Sequence, residues 1–360
     1  MSGSRYLIAG AFLAAILAAG DVRAQSVNNP NLANCGSSTR LDIFGYGDCV
    51  RHDINREIQI QTTDAVARAV ANSFGIGPTG VEPAGLSTLT PAEFGQRLDR
   101  GSAIIVSPTA DAVPAAATPK WNLWGDAKYT WNDYDIPFFD IDGGLWNGLA
   151  GIDYKITDRL TLGLLGSYER ADLGEGIEST GWGVGPYLGF VITDNIVFSA
   201  SMLGTWLDGS QSPFIDYDSE RLQAAASLNG YWYFGMLRVT PGVSLSWSKE
   251  WLDTEGGLPD QTIETAMLTP SLQLGNSFRL GAAATIEPWA GAAFDYVFVN
   301  DTEIDGFGGT EDSYSDLRLQ AGFNFGLGNH AQLAITGELG GLLQDDLDTY
   351  AVEANLAIQF

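Results

Sequence analysis

From Trp121 to Phe360, apolar and polar residues alternate with a period of two, interrupted at intervals by Gly, Pro, Asn and Asp. The first segment puts Trp121, Leu123, Ala127, Tyr129 and Trp131 in one phase and Asn122, Asp126, Lys128 and Thr130 in the other, with Trp124 as the exception. The same alternation recurs in twelve segments, the last carrying Tyr350, Val352, Leu356, Ile358 and Phe360 against Glu353, Asn355 and Gln359. Lys128, Arg221, Arg238 and Arg318 share the polar phase with Asp126, Glu169, Asp295 and Glu338. A charge facing lipid at mid-bilayer costs roughly 2–4 kcal/mol, so this sorting predicts an apolar phase turned to lipid and a polar phase turned to a lumen.

Each segment has about the length of a tilted transmembrane strand, roughly 9–11 residues. The expected fold is all-β and membrane-embedded: a twelve-stranded antiparallel transmembrane β-barrel over 120–360. An even strand count returns both chain ends to one side of the membrane. Prolines 186, 241, 270 and 288 each remove a ladder hydrogen bond, and bulges are expected to absorb them. Connections after even strands are tight, such as Thr157-Asp158-Arg159, Thr193-Asp194-Asn195 and Gly235-Met236, and those after odd strands are longer. Short periplasmic turns and long outer loops show this asymmetry.

Residues 25–119 differ in character. Arg51 to Phe74 reads as helical, with Ile54, Ile58, Ala65, Ala69 and Val70 able to line one face. Thr90-Pro91-Ala92-Glu93 reads as a capping box opening a second short helix over 91–100, and Gly101 stops it. Ser102 to Pro119 is an Ala-, Pro-, Ser- and Thr-rich linker. Ahead of it all, Arg5, the apolar run Tyr6 to Ala19 and Val22-Arg23-Ala24 have the parts of a cleaved export signal over 1–24. Three regions follow: signal peptide 1–24, a short and partly helical N-terminal segment 25–119, and an outer-membrane barrel 120–360.

Charge narrows the partners. The chain has 18 basic and 44 acidic residues, a net charge of −26, which excludes nucleic acid as a partner class. The six long connections (132–143, 171–179, 208–220, 249–264, 300–313 and 344–349) hold 24 of the carboxylates against one base, Lys249. A solvated surface is the plainer reading. The sharper one has the loops sharing Ca2+ or Mg2+ with the anionic outer leaflet of lipids and lipopolysaccharide. Asp301, Glu303, Asp305 and Asp312 form the one weakly calcium-loop-like spacing, although Glu at the third place and Asp at the twelfth depart from it.

Cys35 and Cys49 are the only cysteines, and an oxidising compartment would join them in a disulfide. Catalytic candidates are absent: His52 and His330 are the only histidines, and no G-x-S-x-G elbow or phosphate loop occurs. No enzyme activity and no resident cofactor are expected.

The run WNGLAGIDYKITDRLTLGLLGSYERADL at 146–173 resembles a hairpin of the autotransporter β-domain family, as do EPWAGAAFDYVFVND at 287–301 and the terminal YAVEANLAIQF. The resemblance spans about residues 121–360. It implies a twelve-stranded barrel, a terminal aromatic at Phe360 read by the barrel assembly machinery, and an N-terminal passenger carried to the surface. It also implies a helix in the lumen, for which 53–74 or 91–100 are the candidates. Passengers of that family are commonly long β-helices, whereas 25–119 has no such repeat. The asparagine pair of self-cleaving members is missing from 101–120. Two functions therefore stand side by side: a translocator and anchor for a short N-terminal segment, or a stand-alone structural or pore-forming barrel whose N-terminal segment stays periplasmic or plugs the lumen.

Overall fold

The computed structural model describes residues 43–76 and 120–360, except 137–138, 174–176, 212–215, 255–259, 281–283, 305–307, 312, 328–329 and 345–346; over 43–50 only the backbone is described. The signal region, the expected 91–100 helix, Cys35, Asp305 and Asp312 lie outside the described residues.

Twelve strands run in chain order around a closed barrel: β1 Trp121–Ile136, β2 Phe139–Thr157, β3 Leu160–Asp172, β4 Ile177–Thr193, β5 Ile196–Gln211 and β6 Asp216–Gly230. They continue with β7 Leu237–Thr254, β8 Gln261–Asn276, β9 Ala284–Ile304, β10 Tyr314–Leu327, β11 Ala331–Gly340 and β12 Leu347–Gln359. Short pieces at Trp232–Phe234, Phe278–Arg279 and Gly308–Glu311 prolong β6 and β8 and precede β10. Every neighbour is antiparallel, and closure comes from β1 on β12, with Asn122 opposite Gln359 and Tyr134 opposite Leu347. Closure removes the sheet edge that would leave unpaired N–H and C=O groups in lipid.

The period-two reading holds around the wall. Leu164 is 60% and Trp182 65% exposed on the outer face, while Asp126, Lys128, Glu169, Arg221, Asp295, Arg318 and Glu338 are all buried inside. Trp124 keeps the strand period and points inward, where its Nε1 donates to the Tyr187 hydroxyl at 2.6 Å. The prolines need no bulge. Pro241, Pro270 and Pro288 stay in register with Leu272, Val243 and Phe323. At Pro186 the ladder to β5 simply skips a step, resuming at Tyr187 opposite Ser201. The register shifts fall elsewhere, at Lys155/Thr157, Val191/Thr193 and Val297/Val299.

The tight turns at Thr157-Asp158-Arg159, Thr193-Asp194-Asn195 and Gly235-Met236 stand where the sequence put them; Gly235 closes its two-residue turn at φ 68°, the left-handed region that glycine enters without a Cβ clash. The long connections are a correction. Most of their residues are strand: β1 and β2 stay paired out to Ile136 opposite Phe139, and β5 and β6 to Ser210 opposite Asp216. Cross-strand pairing continues beyond the apolar band because a ladder satisfies backbone groups equally well in water.

Among the described residues one helix lies inside, α1, Ile43–Ser73. At 1.5 Å per residue its 31 residues extend roughly 46 Å, enough to thread the barrel. It begins eight residues before the Arg51 start read from sequence. Its end is a Schellman cap: Gly75 has φ 68°, the Ile76 N–H donates to Ala71 O at 2.9 Å and Gly75 N–H to Asn72 O at 2.9 Å.

Candidate functional site, a helix-filled lumen

The helix divides by chemistry along its length. Toward its C-terminal end Ala65, Val66, Ala69 and Val70 join a buried cluster with Leu149, Leu165, Tyr187, Val191, Val197 and Leu203 of the wall. Room for it comes from small lumen-facing residues. At Gly189 an added Cβ would fall within bonding-like range of Val70 Cγ1, so only glycine allows the helix to sit that close. From Arg51 to Thr63 polar residues outnumber the apolar Ile54, Ile58 and Ile60, and all of them are buried. Here the wall supplies the partners.

Those partners are charged and inward-facing. Lys128 Nζ on β1 donates to Glu57 at 3.0 Å and to Glu338 at 2.9 Å. Arg318 on β10 spans Glu338 at 2.8 Å and Asp295 at 2.6 Å. Arg56, fully buried, lies 3.5 Å from Asp316 and 3.3 Å from Glu57. Asn55 donates to Glu250 at 2.9 Å and accepts from Arg221, which also binds Glu169. Gln61 donates to Asp126 at 2.7 Å, Gln59 to Ser248 at 2.6 Å, and Arg68 binds both Asp126 and Glu353. Removing one partner of such a network leaves a buried charge uncompensated, at about 3–5 kcal/mol.

The ends of the helix set its direction. Ser73 reaches Asp153, which also accepts from Tyr187 at 2.7 Å, Thr161 at 2.8 Å and Asn122 at 2.9 Å. Gln359 donates to Asn72 O. These residues sit at the short-turn end. At the other end His52 is bonded to Thr265 at 3.2 Å and Thr302 at 2.8 Å, and the Arg51 guanidinium covers the Tyr217 ring at 3.7 Å. The helix thus enters at the long-hairpin mouth and ends at the short turns.

Of the other sequence candidates, Asp301 and Glu303 stand on one ladder of a hairpin, opposite Glu311 and Gly309, not on a cation-wrapping loop. Among the described residues no three His, Cys, Asp or Glu side chains converge as metal ligands. Cys49 is on the helix backbone, its side chain outside the description. Phe360 closes the barrel: its N–H donates to Trp121 O at 3.0 Å, its carbonyl accepts from Trp121 N–H at 3.1 Å, and its ring is exposed. Sequence reasoning missed the apolar lumen residues Leu149, Leu165, Val197 and Leu203. Their signal was an apolar residue in the polar phase, as in Leu164-Leu165.

A closed antiparallel barrel with an apolar exterior, a charged interior and unequal hairpins is a transmembrane barrel of the outer-membrane type. The chain belongs to the autotransporter β-domain family, whose model matches residues 123–338. The structure is similar to the β-domain of the Bordetella autotransporter BrkA, at 14% identity and TM-score 0.54, covering 67% of this chain and 100% of that one. It is also similar to the translocator domain of the autotransporter NalP from Neisseria meningitidis, at 12% identity and TM-score 0.51, covering 75% of this chain and 95% of that one. No curated protein sequence matches. The family and fold make this chain an autotransporter-type translocator barrel of the Gram-negative outer membrane; the stand-alone pore is not favoured.

Proposed function

We propose that the chain is exported by its 1–24 leader and holds the segment before α1 at the cell surface, with the barrel as anchor and no catalytic chemistry of its own. The observation that carries this reading is the direction of α1, whose N-terminal end lies among Arg51, Tyr217, Thr265 and Thr302 at the long-hairpin mouth. The exposed Phe360 ring at the closing seam suits recognition by the barrel assembly machinery. Cys35 and Cys49 would form a disulfide beside that mouth, detectable as one bridged peptide in the non-reduced digest. An epitope inserted near residue 30 tests the display. External protease should remove it from intact cells; protection there, with cleavage only after the outer membrane is opened, would place the segment in the periplasm.

A further inference from the structure

The lipid-facing wall is not uniformly convex. Across β12, β1, β2 and β3 it sinks into a groove of about 620 Å3 floored by Gly125, Ala127, Gly148, Ala150, Gly166 and Ala354. A Cβ added at Gly125 or Gly166 would meet nothing nearer than a backbone oxygen at 3.8 or 3.7 Å, so the floor opens to the membrane. Three rings close its outer end: Trp146 and Tyr168 have centroids 5.6 Å apart, Tyr168 and Trp182 4.4 Å. The Trp146 ring folds down over Gly148, 2.7 Å from where a Cβ would stand.

Arg170 is the next residue outward from Tyr168 on the same face. It is exposed and registered between Trp146 and Thr180. Asp172 follows on that face without forming an ion pair with it, and no other described carboxylate pairs with it. Lys249, the other cation on the outward face at this end, is by contrast held by Glu264 at 3.2 Å. An unpaired guanidinium at headgroup level, above an aromatic collar and an apolar groove, is complementary to a phosphate with an acyl chain below it.

We infer that the groove and Arg170 form a lipid site that takes one acyl chain and one phosphate of lipid A from the outer leaflet. The small floor admits the chain to close dispersion contact along its length. The three rings set its depth, and the guanidinium fork binds the phosphate. Charge argues against a second copy as the occupant. A two-fold axis along the membrane normal through this groove keeps both copies at one height and brings Arg170 toward its own equivalent. The site rests on the orientation stated above, with the long hairpins outward.

The test uses the full-length protein from outer membranes, presented with purified lipid A or with phosphatidylglycerol at equal concentration and examined by native mass spectrometry. The wild type should retain lipid A in preference. Arg170→Glu and Gly166→Leu should each lower retention about tenfold. Gly204→Leu, at another open lipid-facing glycine, should leave it unchanged. Heat-modifiable mobility checks that each variant is folded, and the epitope assay checks orientation separately. Equal retention across folded variants overturns the proposal, and so does phosphatidylglycerol held as well as lipid A. A lipid-free dimer that Gly166→Leu dissociates would also overturn it, giving the groove to a second copy.

Discussion

Gly189 and Val70 show how much one hydrogen-for-methyl exchange decides in a filled lumen. Gly189→Ala should weaken helix docking by about 1–3 kcal/mol, the usual penalty of overpacking. Val70→Ala should restore much of it, a coupling that a thermal-melt double-mutant cycle would measure. The same filling changes what the strand phases mean. Arginine at Leu164, Phe198 or Leu245 faces lipid and should cost about 2–4 kcal/mol. Alternation alone predicts tolerance at Ser167, Ser199 and Ser244, because all three face the lumen. Ser199, however, is buried opposite Gly189, beside Val70. Arginine there should fail about as badly as at Leu164, whereas the partly exposed Ser244 should accept it. Folded fraction by heat-modifiable gel mobility separates these cases. The face of each residue was legible in the sequence; what lay in front of that face was not.

At the scale of elements, the strands run past the apolar band, and their outer ends carry carboxylates in fixed register. Asp218 stands opposite Asp208 on one side and Asp253 on the other, all three exposed. Like charges directly opposite are destabilising by roughly 0.2–1 kcal/mol per pair. Asp218→Asn should therefore raise the melting temperature. Calcium or magnesium should stabilise the wild type more than sodium at matched ionic strength, and Asp218→Asn should shrink that difference. An identical response of both proteins to divalent and monovalent salt would leave these carboxylates as plain solvated charge. The sequence showed where the acid was but read it as loop, since Gly, Asp and Ser mark turns and extended ladders outside the membrane alike. The helix was readable from Arg51 onward, where Ile54, Ile58, Ala65, Ala69 and Val70 recur at helical spacing. Before Arg51 the run Ile43-Phe44-Gly45-Tyr46-Gly47-Asp48-Cys49-Val50 carries two glycines, poor helix formers, and so gives no helical signal in the sequence.

For the whole molecule, barrel and helix form one structure, with the lumen wall acting as the core into which α1 folds. Deleting residues 43–73 should leave a barrel that closes through β1 and β12 but conducts ions in planar bilayers, where the intact chain is nearly silent. Equal conductance of the two would mean that the helix does not fill the pore in the membrane. The sequence by itself determined the strand number, the inward and outward phases, the tight turns and the placing of Lys128, Arg221, Arg238 and Arg318 with acids in the lumen. These follow from a local cause, the cost of turning a polar group to lipid, which acts on each residue through a period of two. Only the tertiary structure decided which acid meets which base, that Lys128 joins Glu57 to Glu338, and that α1 runs inward from Thr302 to Asp153. Those outcomes depend on distances across a closed ring between residues up to 287 positions apart, as for Asn72 and Gln359, and no periodicity along the chain encodes such distances.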